Sequence, residues 1–324
     1  MSKVRVAVLD DYQDVALRMT DWNSLAADTE IEVFRDHLSA LDAVAARLKD
    51  FEIVVAMRER TPFSRSLLER LPKLKLLVTT GMRNAAIDVA AATALDITVC
   101  GTGGVLYPTA ELTWGLILAL LRHIPQEDAA TRTGQWQVSM GIGLQGKTLG
   151  VVGLGNLGSQ VAVIGKAFQM TVLAWSQNLT GERAAQVGVT LVAKEELLSR
   201  SDIVTIHLVL SDRTRGLLGT RELGLMKPTA YLVNTSRGPI IEEKALITAL
   251  QEETIAGAAL DVFDQEPLPL DQPLRRLENT VITPHLGYVT AETYEIFFRH
   301  IVEDIRAFLD GNPIRVLNAA RQKG

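Results

Sequence analysis

The stretch Thr148-Leu149-Gly150-Val151-Val152-Gly153-Leu154-Gly155-Asn156-Leu157-Gly158 decides the fold. A short apolar run ends in a GxGxxG pattern, a helical pattern opens over Ser159–Phe168, and a second apolar run, Thr171–Trp175, completes a βαβ unit. In that setting each glycine has its own reason: a tight turn, room for the backbone to approach a diphosphate, and close helix–strand packing. The helix N-terminus adds N–H donors and partial positive charge. Gly153, Gly155, Asn156, Leu157 and Gly158 are therefore candidate cofactor-binding residues, and a dinucleotide is the ligand they imply. The pattern alone is a weak signal among 24 glycines in 324 residues; its strand–turn–helix context strengthens it.

Working outward, short apolar runs alternate with helical patterns over most of the chain. Val4–Leu9, Ile53–Ala56, Leu74–Val78 and Ile97–Cys100 read as buried strands. A second series follows at Thr148–Val152, Thr171–Trp175, Ile203–Leu208, Tyr231–Asn234, Ala256–Leu260 and Val281–Thr283. Continuous Val/Ile/Leu runs separated by helices imply parallel sheets covered on both faces, and two series imply an α/β protein of two doubly wound lobes. A helix over Pro108–His123, apolar nearly all round, stands between the series. A second, Ala291–Leu309, follows the last strand and stops before Gly311-Asn312-Pro313. The tail Ile314–Leu317 is expected to return to the first lobe. The lobes are then expected at 1–101 plus 289–324, discontinuous, and at 102–288, inserted.

The composition excludes several functions. With 38 acidic and 33 basic side chains the net charge is −5, which offers no broad basic surface to nucleic acid or an anionic membrane. A single cysteine, Cys100, cannot form an internal disulfide, a CxxC pair or a cysteine-rich zinc site, and no metal is expected. The longest apolar run, Leu112 to Leu121, is half a membrane span, and Val4–Leu9 is too short for a signal-peptide core. The expectation is a soluble, cytoplasmic protein.

At the end of the second strand of a dinucleotide fold, an acidic residue normally holds the adenosine ribose hydroxyls. This chain reads Ala174-Trp175-Ser176-Gln177-Asn178, with Ser176 at that place and no carboxylate. The repulsion that excludes a 2′-phosphate is thereby removed, although the nearest arginine is Arg183. The cofactor is expected to be NAD or NADP, with NADPH accepted at least as well as NADH.

Three segments downstream carry further chemistry: Asn234-Thr235-Ser236-Arg237-Gly238, then Asp261-Val262-Phe263-Asp264-Gln265-Glu266-Pro267, then Pro284-His285-Leu286-Gly287. Together with Ala110-Glu111-Leu112-Thr113 and Met226-Lys227-Pro228, they resemble, in order, the D-2-hydroxyacid dehydrogenase family, over nearly the whole chain. The resemblance implies a Rossmann nucleotide-binding domain (102–288) inserted in a flavodoxin-like substrate domain (1–101 plus 289–324). It also implies closure on substrate and a homodimer packed through the nucleotide lobe.

By the same resemblance, Arg237 would hold the substrate carboxylate and 2-oxo group, a task suited to a planar fork. His285 would be the general acid–base, with Glu266 as its partner favouring the imidazolium. Asp261 would contact the nicotinamide carboxamide, and Thr235 joins the cofactor set. His207 has two readings left open, a residue near the nicotinamide or a core histidine. The chemistry agrees on physical grounds, since reducing a 2-oxo acid needs a cation for the carboxylate, a proton source and a hydride donor.

In the substrate lobe, Thr79-Thr80-Gly81-Met82-Arg83-Asn84 resembles the glycine-containing loop whose N–H groups bind the substrate carboxylate. Met57-Arg58-Glu59-Arg60-Thr61 resembles the Arg-x-Arg-Thr loop of phosphoglycerate dehydrogenases. Arg58, Gly81 and Met82 are thus candidate substrate-binding residues, while Glu59 stands where a hydroxyl residue is usual and would weaken an anion site. Glyoxylate, hydroxypyruvate or a bulkier 2-oxo acid fit equally. Met82, Leu106, Tyr107, Trp136 and Tyr288 are candidates to line an apolar pocket, with core packing as the rival role. The rival function is a dinucleotide-sensing, corepressor-like regulatory protein of the same fold with little turnover.

Overall fold

Val4–Val8 (β1), Thr29–Val33 (β2), Ile53–Ala56 (β3), Leu76–Thr79 (β4) and Thr98–Gly101 (β5) align in parallel in the order β2-β1-β3-β4-β5. Every residue of β3 and β4 is buried, which is why these strands are apolar without alternation. β2 is different. Thr29-Glu30-Ile31-Glu32-Val33 alternates, exposes both glutamates and lies at the sheet edge. A search for continuous apolar runs passes over such a strand.

These strands belong to a computed structural model describing residues 3–318. The chain divides into one unit running up to Val105 and resuming at Thr290, and a second unit, Leu106–Val289. In the first, the helix Ala291–Leu309 buries Tyr294, Phe297, Phe298, Ile301 and Ile305, a stripe at helical spacing, and Phe298 meets Trp22 at 6.4 Å between ring centroids. The tail after it runs antiparallel along β5. The Gly101 N–H donates to the Arg315 carbonyl (3.0 Å) and the Leu317 N–H to the Val99 carbonyl (2.7 Å). Arg315 ties this strap to the helix through Asp304 (3.0 Å), a fully buried carboxyl that burial pushes up to about 7 against the pull of the guanidinium. Cys100 lies under the same strap, and burial raises its thiol to about 12.

The second unit holds Thr148–Val152 (β6), Thr171–Trp175 (β7), Thr190–Leu191 (β8), Ile203–Ile206 (β9), Tyr231–Asn234 (β10), Gly257–Leu260 (β11) and Thr280–Ile282 (β12). All are parallel, in the order β12-β11-β10-β9-β6-β7-β8. The chain begins in the middle at β6, moves out to β8, and returns to lay β9 on the other side of β6. Ligands of such sheets bind outside the carboxyl ends of the strands at that reversal. Two apolar clusters pack against the sheet. The helix Pro108–Leu121 contributes to one of them through Trp114, whose indole N–H donates to the Val161 carbonyl (3.2 Å). Among the described residues no helix is long and apolar enough to cross a membrane.

Candidate active site

The glycine loop joins β6 to the helix Asn156–Ala167, and its three glycines do different things. Gly153 has φ +104°, and a Cβ there would stand 2.7 Å from the His207 carbonyl oxygen, so β6 and β9 close against each other at their carboxyl ends. A Cβ on Gly158 would be 1.9 Å from the Gly153 carbonyl, so the helix start sits directly on the turn. Gly155, which precedes the helix, would direct a Cβ into open space. That opening in front of a helix N-terminus is the cradle a diphosphate requires.

His207 follows β9. Its Nε2 lies 2.9 Å from the Thr205 hydroxyl, while its Nδ1 is closed to solvent and meets no partner among the described residues. Burial pushes this imidazole down to about 3, so the ring is neutral at ordinary pH. A buried polar atom without a partner leaves a hydrogen bond for a water or a ligand to make. The open cradle and the orphaned His207 nitrogen therefore both fit a dinucleotide. Ser176, just past the end of β7, is half-buried.

The loops after β10, β11 and β12 stand on adjacent strands. Asn234 ends β10 and organises the first of them: its Oδ1 accepts from the Ser236 N–H (3.0 Å) and its Nδ2 donates to the Arg237 carbonyl (3.0 Å). Ser236 Oγ donates to the Leu208 carbonyl, and Arg237 Nη1 donates to the Ser236 carbonyl (2.7 Å). A Cβ on Gly238 would be 2.1 Å from the Phe263 carbonyl carbon, so the arginine loop presses against the loop after β11.

Glu266, on that second loop, uses both oxygens. Oε1 accepts from the Phe263 N–H (2.9 Å) and Oε2 lies 2.6 Å from His285 Nδ1. The carboxylate thus engages Nδ1 of the ring, and Nε2 is the nitrogen not tied to Glu266. His285 itself has φ +56°, a left-handed conformation for a non-glycine residue, and its ring meets Tyr288 edge-on at 5.5 Å. Asp261 holds the loop in this shape. Its Oδ1 accepts from Thr283 Oγ1 (2.6 Å) and the Leu286 N–H (2.7 Å), and its Oδ2 accepts from the Gly287 N–H (2.9 Å). Burial raises this carboxyl against those hydrogen bonds.

Asp261 is fully buried, so its side chain grips the histidine loop from beneath. Thr235 likewise shares its hydroxyl with Thr113 (2.8 Å) inside the unit. Thr109, whose hydroxyl donates to the Gly287 carbonyl (2.8 Å), completes the support and was not legible from any motif.

In the first unit, Arg58 (φ +50°) follows β3. Its N–H donates to Thr80 Oγ1 (2.8 Å), its Nη1 donates to the Thr80 carbonyl (3.1 Å), and its Nε is 3.6 Å from Glu59 Oε2. The guanidinium lies over Gly81, where a Cβ would come within 2.0 Å of Nη1. The Gly81 N–H donates to Thr102 Oγ1 (2.8 Å), so this donor is engaged within the protein. Met82 is half exposed. In the second unit Leu106, Tyr107 and Trp136, candidates for an apolar pocket with core packing as the rival role, are exposed at 64, 64 and 78%, which goes against core packing. Among the described residues no cluster of three or more His, Cys, Asp or Glu could hold a metal ion.

Residues 114–287 match the model of the D-isomer specific 2-hydroxyacid dehydrogenase NAD binding domain. The chain belongs to the D-isomer specific 2-hydroxyacid dehydrogenase family. It is 43% identical over 255 residues to a glyoxylate reductase of Aeropyrum pernix, covering 76% of each chain. It is 40% identical over 285 residues to a D-3-phosphoglycerate dehydrogenase of Methanocaldococcus jannaschii, covering 86% of this chain and 54% of that one. The crystal structure of a phosphoglycerate oxidoreductase from Vibrio cholerae superposes with a TM-score of 0.90 at 38% identity, covering 95% of this chain and 99% of the other. This 2-hydroxyacid dehydrogenase is therefore an oxidoreductase with an NAD(P)-binding Rossmann domain, acting by hydride transfer on 2-oxo and 2-hydroxy acids.

Proposed function

We propose that the enzyme interconverts a small 2-oxo acid and its D-2-hydroxy acid, with Arg237, Glu266 and His285 as the catalytic residues. Arg237 holds the substrate carboxylate and 2-oxo oxygen through its planar fork. His285 gives a proton from Nε2 to the carbonyl oxygen on reduction and takes it back on oxidation. Glu266 orients the ring and balances the imidazolium. The nicotinamide dinucleotide, when bound, supplies or accepts the hydride. Gly153, Gly155, Asn156, Leu157 and Gly158 would hold its diphosphate, His207 and the Asp261 and Thr235 segments its nicotinamide half, and Ser176 its adenosine ribose. The observation that carries the reading is the 2.6 Å contact between His285 Nδ1 and Glu266 Oε2, with the other carboxylate oxygen pinned by the Phe263 amide. It supports Nε2 as the histidine nitrogen offered to a substrate.

Two details belong to the same reading. NADPH is accepted at least as well as NADH, because Ser176 puts no carboxylate against a 2′-phosphate. Arg183 supports this: its Nη2 lies 3.5 Å from Ser159 Oγ, on the helix that follows the glycine loop. The enzyme works as a homodimer, supported by Trp136, Val138 and Met140, which stand exposed at alternate positions of one stretch of the second unit. Arg58 and Met82 serve the substrate side, with glyoxylate and hydroxypyruvate as the leading substrates. The test is a panel of 2-oxo acids run with NADH and with NADPH. Turnover of at least one small 2-oxo acid, with kcat/KM for NADPH equal to or above that for NADH, is expected. Tight dinucleotide binding without turnover of any member would overturn it in favour of a sensor.

A further inference from the structure

The histidine proposed to move the proton stands close to one end of its unit. The second unit begins at Leu106 and ends at Val289, so Pro284-His285-Leu286-Gly287 is among its last segments. The first and last residues of a domain lose order unless they are tied down. A general acid–base, by contrast, has to stay within hydrogen-bond reach of the atom it protonates. The tie comes from the other end of the unit. The helix Pro108–Leu121 is its first element, and Thr109 Oγ1 donates to the Gly287 carbonyl (2.8 Å). One hydrogen bond therefore joins the start of the unit to its end, just after His285.

Local structure explains why Thr109 is free to do this. A threonine inside a helix commonly turns its hydroxyl back onto the carbonyl four residues earlier. Thr113 does so, its Oγ1 donating to the Thr109 carbonyl (2.7 Å). Thr109 has no such helical carbonyl behind it, because the helix opens at Pro108, and its hydroxyl reaches across instead. Gly287 comes close to it: a Cβ there would stand 3.2 Å from both Thr109 Cγ2 and Oγ1. The Gly287 N–H donates to Asp261 Oδ2 (2.9 Å), so the peptide groups before and after this glycine are each held. With its own proton committed to Thr109, the Thr113 hydroxyl accepts from Thr235 Oγ1 (2.8 Å), at the start of the Arg237 loop. The first turn of one helix thus holds the His285 loop and the Arg237 loop in register.

We propose that Thr109 is a positioning residue for the proton transfer: through Gly287, its hydroxyl holds His285 in the left-handed turn (φ +56°) where the ring meets Glu266. The proposal rests on the proposed role of His285. Asp261 grips the loop through N–H and hydroxyl donors, whereas Thr109 acts on its carbonyl side. Without the hydroxyl the buried Gly287 carbonyl loses this donor, and the loop relaxes away from the geometry that proton transfer needs.

The experiment follows reduction of glyoxylate and hydroxypyruvate, dinucleotide affinity and melting temperature in three variants. Thr109→Val keeps the side-chain shape and loses the hydroxyl, Thr109→Ala removes both, and Thr109→Ser keeps the hydroxyl. Valine and alanine should lower kcat about five- to tenfold, with KM for the 2-oxo acid and Kd for the dinucleotide near wild type, and serine should recover most of the loss. Introduced into His285→Ala, the valine change should slow the reaction no further, because the hydroxyl acts through that ring. Wild-type kcat in both hydroxyl-free variants would overturn the proposal. So would a serine variant as slow as valine, the same fold loss in the His285→Ala background, or failure of both hydroxyl-free variants to fold. A His285→Ala variant that works at the wild-type rate, or a wild type that reduces neither acid, would instead remove the functional reading beneath it.

Discussion

The two parallel sheets end in carboxyl edges of opposite character. In the second unit the edge has an opening before a helix N-terminus: Gly155 faces empty space, the His207 Nδ1 atom has no partner among the described residues, and Glu266 engages Nδ1 of His285. In the first unit the edge is filled with its own pairs, Arg58 with Glu59, Asp10 with His37, and Gly81 with Thr102. The same topology thus serves two purposes. One edge keeps an opening before a helix N-terminus and a buried imidazole nitrogen without a partner among the described residues; the other sets carboxylates against arginine and histidine side chains.

The contrast can be sharpened by mutation. Arg237→Lys keeps a positive charge and loses the fork, and kcat/KM for a 2-oxo acid should fall about 100-fold or more, given about 1.5–3 kcal/mol for each charged hydrogen bond lost. An equally active lysine variant would mean that the substrate carboxylate is held elsewhere. Next, Gly155→Val adds bulk where the fold has room and the cofactor does not. Dinucleotide Kd should rise about 100-fold with no change in melting temperature; unaltered affinity would show that the opening before the helix is not the diphosphate cradle.

The smallest effects separate the edges by pH. His207, held near 3, stays neutral while the unfolded chain takes up a proton below about 6.5. Its contribution to stability is therefore present above 6.5 and lost as pH falls toward 3, and His207→Gln should flatten that slope. Asp304 in the first unit runs the other way. Its carboxyl is raised to about 7, so its contribution is present at acid pH and lost as pH rises toward and through 7. Asp304→Asn should abolish that loss, a matter of a few degrees in melting temperature read across pH 4 to 8. Identical slopes in variant and wild type would contradict either assignment.

How much of this the chain declares depends on the kind of constraint. The glycine loop was legible because the turn and the helix start need Gly153 and Gly158, and the approach of a diphosphate needs Gly155, at fixed spacing, and the buried strands because parallel sheets covered on both faces must be apolar throughout. β2 was not legible, since its Thr-Glu-Ile-Glu-Val alternation suits an edge with one wet face. Glu266 and His285 stand out only through the motifs that carry them; 19 residues apart, they meet because β11 and β12 are neighbours. The supports from Thr109, Thr283 and Asn234 were illegible as such, because threonine and asparagine hydrogen bonds across a fold leave no periodic trace.

The central claim is that His285, held by Glu266 at the edge of the second sheet, moves the proton. It is tested by measuring dinucleotide affinity and 2-oxo acid reduction side by side in the wild type and in His285→Ala. The account predicts an unchanged Kd for the dinucleotide and a rate lower by about 10²–10⁴. A variant that reduces the substrate at the wild-type rate would contradict it.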